Sequence, residues 1–220
     1  MSIFSNEGVV TERKTSSRRE RSKADKMRRI LAAGEKLFSR DGFDGTTVQQ
    51  IADEADVAVG TLFLYVSDKS EILLRLFRDA IELELKNATK QLKTRKRFIP
   101  SIKRFLMDLM IPYEANRDLS RVFWREFLFH KGQVRAELDL LAAAVLQVLQ
   151  EKITAAQSTG EIDGGVDATV GALQIYAIFH ATLAFHLSDC LPGKSPGQVL
   201  EALLQSMWRG MAPRNDENSI

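Results

Sequence analysis

Apolar residues recur at helical spacing from about residue 26 onwards. The first set falls at i, i+3, i+7 and i+8, which places its members on one face of a helix. They are Ile30, Ala33, Leu37 and Phe38. Gly42 follows directly and is typical of the residue that ends a helix. The pattern predicts an amphipathic helix over residues 26–41.

A second helix begins at a capping signal. Thr47 and Gln50 fit a capping box, in which the hydroxyl accepts one free backbone N–H and the glutamine reaches back to another. A break at Asp56–Val57 follows, and apolar spacing then predicts a third short helix from Val59 to Val66.

The rest of the chain also follows the helical period. Asp68, with Glu71 three residues later, predicts the start of a long fourth helix. Further helices are predicted near residues 101–114, 118–130, 133–158, 167–188 and 197–210. No stretch alternates with the period of a strand. The sequence therefore predicts an all-α fold of about nine helices.

The first three predicted helices have the order of a helix-turn-helix, which places its second helix in the major groove of DNA. Leu62 and Val66, four residues apart, are expected to anchor that recognition helix to the core. Thr61, Leu64 and Tyr65 are then left on the outer surface. Such exposed apolar and aromatic side chains suit thymine methyls, sugars and phosphates.

Charge is divided unevenly along the chain. Residues 1–29 hold nine Lys or Arg and four Asp or Glu, a net charge of +5. Because the whole chain carries +2, the remaining residues carry −3. A basic end on a slightly acidic body indicates contact with a polyanion. For the first ~20 residues, a solvated disordered tail is the alternative interpretation.

The sequence lacks the usual motifs of an enzyme. It has no glycine-rich phosphate-binding loop, and His180 and His186 are six residues apart rather than at the i, i+4 spacing of a helical metal pair. Cys190 is the single cysteine, which excludes an intramolecular disulfide. We therefore predict no enzymatic activity, no cofactor and no metal site.

Residues 168–188 contain no charged side chain, and their number is close to the ~20 that span a bilayer. Their polar residues, including Gln174, His180 and His186, favour a helix buried by the core on one face and a partner subunit on another. The N-terminal residues lack the apolar segment of a secretory signal. A cytoplasmic protein without a membrane partner is predicted.

At residues 26–77 the sequence resembles the tetracycline-repressor (TetR) family of bacterial transcriptional regulators. The resemblance rests on an A-x-x-x-L-F helix ending in D-G-F, on T-T-V-x-x-I-A, and on G-T-L-F-x-Y-V-x-x-K-x-E-I-L. It implies an N-terminal three-helix DNA-binding domain, and a C-terminal helical domain that binds a small molecule and dimerises through the last two helices.

Carried over by position, the DNA contacts of the family fall on one set of residues in and around the helix-turn-helix. They are Thr47, Val48, Gln49, Ala58, Val59, Thr61, Phe63, Leu64, Tyr65 and Lys69, the last expected at a phosphate. Arg28 and Arg29 are added as backbone or minor-groove contacts, by analogy with other N-terminal arms.

Four positions depart from the family pattern. Asp56 occupies the turn where glycine is usual, and Asp tolerates positive φ better than most residues. Val59 and Leu64 stand where polar base-reading residues are common, and Val66 replaces the usual Phe. Since Val59 shares a helical face with Leu62 and Val66, burial and DNA contact both remain open for it.

Aromatic and sulfur-containing side chains crowd the middle of the C-terminal part, where they are either simple core or the lining of an apolar pocket. The predicted effector-binding residues are Phe105, Met110, Tyr113, Trp124, Phe127, Tyr176, Phe179 and His180. The predicted dimer contacts are Phe185, Leu200, Leu204, Met207 and Trp208. An apolar or amphiphilic effector is expected.

The predicted organisation is a basic disordered arm at residues 1–22, a DNA-binding domain at 23–68, an effector-binding and dimerisation domain at 69–211, and a tail at 212–220. The predicted function is a dimeric repressor that binds an inverted-repeat operator on double-stranded DNA and is released by an apolar effector. A transcriptional activator, and a helical ligand-binding or interaction protein of the same fold, are the alternatives.

Overall fold

The computed structural model describes residues 18–95, 97–190 and 193–211, apart from the side chains at positions 18 and 19. Within these ranges the chain forms nine α-helices and no strand, as predicted. They are α1 (Arg18–Asp41), α2 (Val48–Glu54), α3 (Val59–Leu62), α4 (Lys69–Thr94), α5 (Phe98–Glu114), α6 (Arg117–Phe129), α7 (Gln133–Ser158), α8 (Ala168–Leu187) and α9 (Pro196–Met211).

Helix α1 begins earlier than the sequence predicts. Residues 18–22, assigned above to a disordered arm, are its first residues. Their lack of apolar side chains hid them from the periodicity, but Glu20 in the first turn suits a helix N-terminus. The predicted arm at residues 1–17 and the tail at 212–220 lie outside the described residues.

Helices α1, α2 and α3 form the N-terminal unit, and α4 joins it to the body. Helix α1 crosses α4 closely: a Cβ atom added at Gly34 would lie 2.5 Å from Cγ2 of Ile72. Gly42 ends α1 with φ 76°, and the Phe43 ring packs against the Phe38 ring, with the ring centroids 5.3 Å apart. This contact fixes the direction in which the chain leaves α1.

In the body, α4 packs against α5, α6 and α7, while α8 lies between α7 and α9. One continuous cluster of buried apolar side chains runs from the N-terminal unit into the body. Helix α8 is long and apolar enough to cross a membrane by length and composition. It packs Ile175, Phe179 and Leu183 into the core and leaves Val170 and Leu173 exposed.

Candidate DNA-binding surface and effector cavity

The predicted capping box at the start of α2 is present. The Thr47 hydroxyl accepts a hydrogen bond from the Gln50 backbone N–H over 3.2 Å, and Gln50 Oε1 accepts one from the Thr47 N–H over 2.8 Å. Ala52, fully buried on the inner face of α2, allows the neighbouring helix to approach closely. These contacts hold α2 with its first turn exposed.

Asp56 adopts the positive φ expected of it, 52°. Its carboxylate pairs with the guanidinium of Arg29 on α1 over 3.2 Å, so the turn between α2 and α3 is tied to the first helix. The Val57 N–H donates to the Ala52 carbonyl over 3.0 Å, and the Val57 side chain packs against the core.

Helix α3 is shorter than predicted. Its α-helical residues end at Leu62 rather than Val66. Beyond that point the Leu64 N–H bonds to the Thr61 carbonyl and the Tyr65 N–H to the Leu62 carbonyl, which is the tighter i→i+3 pattern. Leu62 and Val66 are both buried, as expected, so this tighter stretch remains anchored at each end.

The predicted DNA contacts differ in exposure. Thr47, Gln49 and Ala58 are exposed, as are Phe63 at 50% and Leu64 at 80%. The remaining members of the set on α2 and in the α3 region are half-buried: Val48, Val59, Thr61 and Tyr65. Val48, Val59 and Tyr65 pack against the core, so Tyr65 is less outward-facing than predicted and Val59 has a structural role.

The three basic residues of the predicted set already have protein partners. Arg28 pairs with Asp25 over 2.5 Å, and Arg29 pairs with Asp56. Lys69 donates from Nζ to the carbonyl oxygens of Phe43 and Thr46 over 2.8 and 3.0 Å. Lys69 thus braces the turn between α1 and α2 within this chain.

The body contains an apolar cavity of about 60 Å³ between α4, α5, α6, α7 and α8. Six of the eight predicted effector-binding residues line it: Tyr113, Trp124, Phe127, Tyr176, Phe179 and His180. Phe105 and Met110 are buried but lie outside the lining, so their assignment to the cavity is corrected. On α5, Leu109 and Tyr113 are the residues that reach it.

Part of the cavity wall was missed by the sequence analysis. It comprises Ile81 on α4, Leu109 on α5, and Leu138, Leu141, Ala142 and Val145 on α7. The α7 residues recur at i, i+3, i+4 and i+7, so helical period alone identifies a buried face. Nothing in that period distinguishes a face that lines a cavity from one that fills the core.

Three lining residues carry polar groups. Burial raises the pKa of the Tyr113 hydroxyl, and it raises the pKa of Tyr176 to about 12. Burial also lowers the pKa of His180, whose Nδ1 lies 3.0 Å from the Tyr176 carbonyl oxygen. At neutral pH the cavity therefore offers uncharged hydrogen-bonding groups within an aromatic wall.

Helix α4 connects this wall to the N-terminal unit. The Phe77 ring stacks on Phe123, with centroids 4.4 Å apart, and Ile81, one turn further along, lines the cavity. At the N-terminal end of α4, Ser70 donates to the Glu126 carboxylate of α6 over 2.9 Å. The cavity and the helix-turn-helix thus share one rigid element.

The predicted dimer contacts separate into two groups. Phe185 is exposed, but Leu200 and Leu204 are fully buried within the single chain. Met207 and Trp208 are half-buried, and the Trp208 indole stacks 5.7 Å from the Phe98 ring. The assignment of Leu200 and Leu204 to a subunit interface is wrong, because their face of α9 packs against the body.

A helix-turn-helix joined by one long helix to a helical body with an apolar cavity defines a DNA-binding regulator. Residues 30–76 match the family described as bacterial regulatory proteins, tetR family. The chain belongs to this family and is a transcriptional regulator.

Two curated relatives illustrate the similarity. The fatty acid metabolism regulator protein of Bacillus subtilis is 22% identical over 163 residues, which span 74% of this chain and 84% of that protein. The regulator RutR of Escherichia coli is 32% identical over 121 residues, or 52% of this chain and 54% of RutR. The chain therefore spans about half of RutR.

Solved structures share the fold. FadR of Bacillus subtilis in complex with stearoyl-CoA superposes with a TM-score of 0.65 at 19% identity, covering 84% of this chain and 98% of FadR. FadR of Thermus thermophilus in complex with lauroyl-CoA gives a TM-score of 0.62 at 21% identity, covering 86% and 96%.

Proposed function

We propose that this protein is a dimeric repressor that binds an inverted-repeat operator and is released by an amphiphilic effector with a long apolar chain. The observation that carries the proposal is the aromatic cavity, which α4 joins to the helix-turn-helix. The helix-turn-helix has an exposed apolar tip formed by Phe63 and Leu64. The cavity supports a ligand of low polarity. The exposed tip supports contact with thymine methyls and sugars.

The proposed DNA surface consists of the exposed members of the predicted set, with Phe63 and Leu64 at its centre. Gln49 supplies an amide for base or phosphate contact, although in the free protein it donates to Asp53 over 2.9 Å. The exposed first turn of α2 supplies backbone N–H groups that suit a phosphate oxygen. The half-buried members are proposed to hold this surface in place.

The effector class is proposed from the cavity and from the relatives. The lining is aromatic and aliphatic, and its few polar groups are uncharged at neutral pH. Two structural neighbours were solved with acyl-CoA thioesters, stearoyl-CoA and lauroyl-CoA. A fatty acyl chain bound among Phe127, Tyr176 and Phe179 fits both observations.

Release is proposed to follow from differential binding. The cavity of about 60 Å³ is smaller than the ~300 Å³ of common ligand pockets, so an effector has to displace wall side chains. Displacement at Phe123 moves Phe77 and hence α4, which carries the helix-turn-helix. The effector then favours the state whose spacing no longer fits the operator, to the extent that it binds that state better.

The dimer is proposed to form through the exposed faces of α8 and α9. Val170 and Leu173 on α8 and Leu203 on α9 are large apolar side chains left in solvent by the single chain. Large apolar side chains exposed on two adjacent helices are typical of subunit contacts. Two recognition helices ~34–36 Å apart then meet successive major grooves.

A cytoplasmic location and the absence of enzymatic activity form part of the same proposal, because the named relatives are regulators.

The proposed DNA binding and release are tested by a gel shift with DNA from upstream of the gene. Binding by the wild type, release by lauroyl-CoA and loss of binding in Leu64→Glu are expected. Leu140→Glu, at a 70% exposed leucine on α7, is the matched control and should bind normally.

If none of the acyl-CoA thioesters releases the DNA, the proposed effector class is rejected. If Leu64→Glu and Leu140→Glu bind DNA equally well, the proposed DNA surface is rejected. Transcription from the same promoter in a reporter strain decides between repression and activation. A repressor gives higher expression when its gene is deleted.

A further inference from the structure

An open groove lies directly outside the effector cavity, between α6 and the C-terminal end of α8. Its volume is about 690 Å³, and its lining includes Arg121, Trp124, Phe185, Asp189 and Cys190. Among the described residues, Trp124 is the one side chain that lines both the groove and the cavity. One indole ring therefore forms the partition between them.

The Trp124 ring packs against the core and contacts two other rings on its cavity side. The Trp124 centroid lies 5.4 Å from that of His180 and 6.2 Å from that of Phe127, and the residue is half-buried. No hydrogen bond of the indole N–H is found among the described residues. A side chain with these contacts turns about its own bonds without breaking a polar interaction.

The two helices on either side of the groove are tied together. Arg117 and Arg121 on α6 both pair with the Asp189 carboxylate, over 2.7 and 2.8 Å. Arg121 also donates from Nε to the Leu187 carbonyl over 2.7 Å, which satisfies a free acceptor at the end of α8. These contacts oppose separation of α6 from α8, so rotation of the Trp124 side chain is a smaller change than helix separation for connecting the groove to the cavity.

We infer that Trp124 is a gating residue, whose side chain rotates to let the effector pass from the groove into the cavity. This inference rests on the proposed function, since it assumes that the cavity holds an effector. The groove combines apolar surface at Ala184 and Phe185 with polar groups of both signs at Arg121 and Asp189. The ligand class is a single-chain amphiphile, with its alkyl chain inside and its polar end in the groove beside Arg121.

Cys190, an exposed thiol in the groove, allows a direct test. Alkyl methanethiosulfonates react with the thiolate, forming a mixed disulfide and releasing methanesulfinate. Methyl, hexyl and decyl groups are attached in this way to the full-length Trp208→Phe protein. Because the sequence has two tryptophans, Trp208→Phe leaves Trp124 as the single indole. Its fluorescence then reports on the surroundings of the proposed gating residue.

With the decyl group, the Trp124 emission should shift and the Tm should rise by at least about 3 °C above the methyl-labelled protein. The hexyl group should have a smaller effect. Ala142→Leu fills the far wall of the cavity and should remove the rise in Tm, and Val145→Ile is a second filling variant if Ala142→Leu fails to fold.

A decyl label that leaves emission and Tm unchanged overturns the inference, as does a rise in Tm that survives cavity filling. A Cys190 that does not react in the native protein also overturns it, because the groove is then covered. Release of operator DNA by lauroyl-CoA is measured separately on unlabelled protein. If lauroyl-CoA releases operator DNA but the tethered chain does not enter the cavity, the gating role of Trp124 alone is rejected. If the tethered chain enters the cavity but lauroyl-CoA does not release DNA, the proposed function is rejected.

Discussion

Lys69 lies over the ring of Phe43, with Nζ 4.4 Å from the ring centroid, and donates to the Phe43 carbonyl oxygen over 2.8 Å. A second bond goes to the Thr46 carbonyl. The first residue of α4 is thereby joined to the turn that precedes the helix-turn-helix. These internal partners account for the position of Lys69 without any phosphate.

We expect Lys69→Met to lower the free energy of unfolding by about 1–2 kcal/mol, because two charge-assisted hydrogen bonds are lost at a half-buried site. Operator affinity should fall as α2 loses its support. The slope of log K against log salt should stay the same, since loss of a phosphate contact would reduce it by ~0.9. Chemical denaturation and salt-dependent DNA titration measure both effects.

Lys86→Met is the control for Lys69, because Lys86 is an exposed lysine paired only along its own helix with Glu82. It should change stability by less than about 0.5 kcal/mol. A salt slope reduced by one unit in Lys69→Met, with unchanged stability, would show that Lys69 acts on DNA as the family pattern implies.

Asp56 in the turn between α2 and α3 offers a second prediction. Asp56→Gly should stabilise the fold by up to about 1 kcal/mol, because glycine adopts the φ of 52° without the strain of a Cβ atom. The exposed pair with Arg29 that it removes is worth less than that strain. Thermal denaturation tests the sign.

Asp56→Asn is the matched variant, since it keeps a residue that tolerates positive φ while removing the charge. It should be neutral to slightly destabilising. If Asp56→Gly is less stable than the wild type, the contribution of the Arg29 pair exceeds the relief of strain.

The N-terminal unit was the most predictable part of the chain because local chemistry determines it. The Thr47–Gln50 box, the buried Leu62 and Val66 and the positive φ of Asp56 all follow from neighbouring residues. The length of α3 did not follow, because the apolar spacing of Leu62 and Val66 is the same whether the residues between them form i→i+4 or i→i+3 bonds.

The faces of the C-terminal helices were harder to predict. Both faces of α9 carry apolar residues, so the period cannot say which face meets the body. Leu204 is fully buried in the single chain, whereas its neighbour Leu203 is 36% exposed. The same ambiguity put Phe105 and Met110 in the cavity, since only tertiary contacts separate a residue that lines a space from one that fills it.

The neighbours Leu203 and Leu204 give a third prediction. Leu204→Ala should cost about 2–5 kcal/mol by leaving a cavity in the core, and Leu204→Glu should prevent folding. Leu203→Glu should keep the fold and give a monomer, because in the proposed dimer its charge meets the partner subunit rather than the core. Circular dichroism and sedimentation velocity measure the two outcomes.

Gln205, exposed on the same helix, provides the control through Gln205→Glu, which adds a charge while removing little apolar surface. It should remain folded and dimeric. A dimeric Leu203→Glu protein would place the subunit contact elsewhere, and a folded Leu204→Glu protein would contradict the burial of that face.

His180 gives the last prediction, on the dependence of stability on pH. Burial lowers its pKa in the folded protein, whereas the unfolded chain titrates near the ordinary value of 6.5. Between those two pKa values the unfolded state binds more protons, so stability falls as the pH decreases below ~6.5. Stability linked to His180 is fully present above that value.

Since His180→Gln lacks this group, its free energy of unfolding should decrease less between pH 7.5 and 5.0 than that of the wild type. His130 and His186 are retained in both proteins, so the difference measured by urea denaturation reports on His180. A difference that stays constant with pH would mean that His180 is solvated in the folded protein and titrates as it does in the unfolded chain.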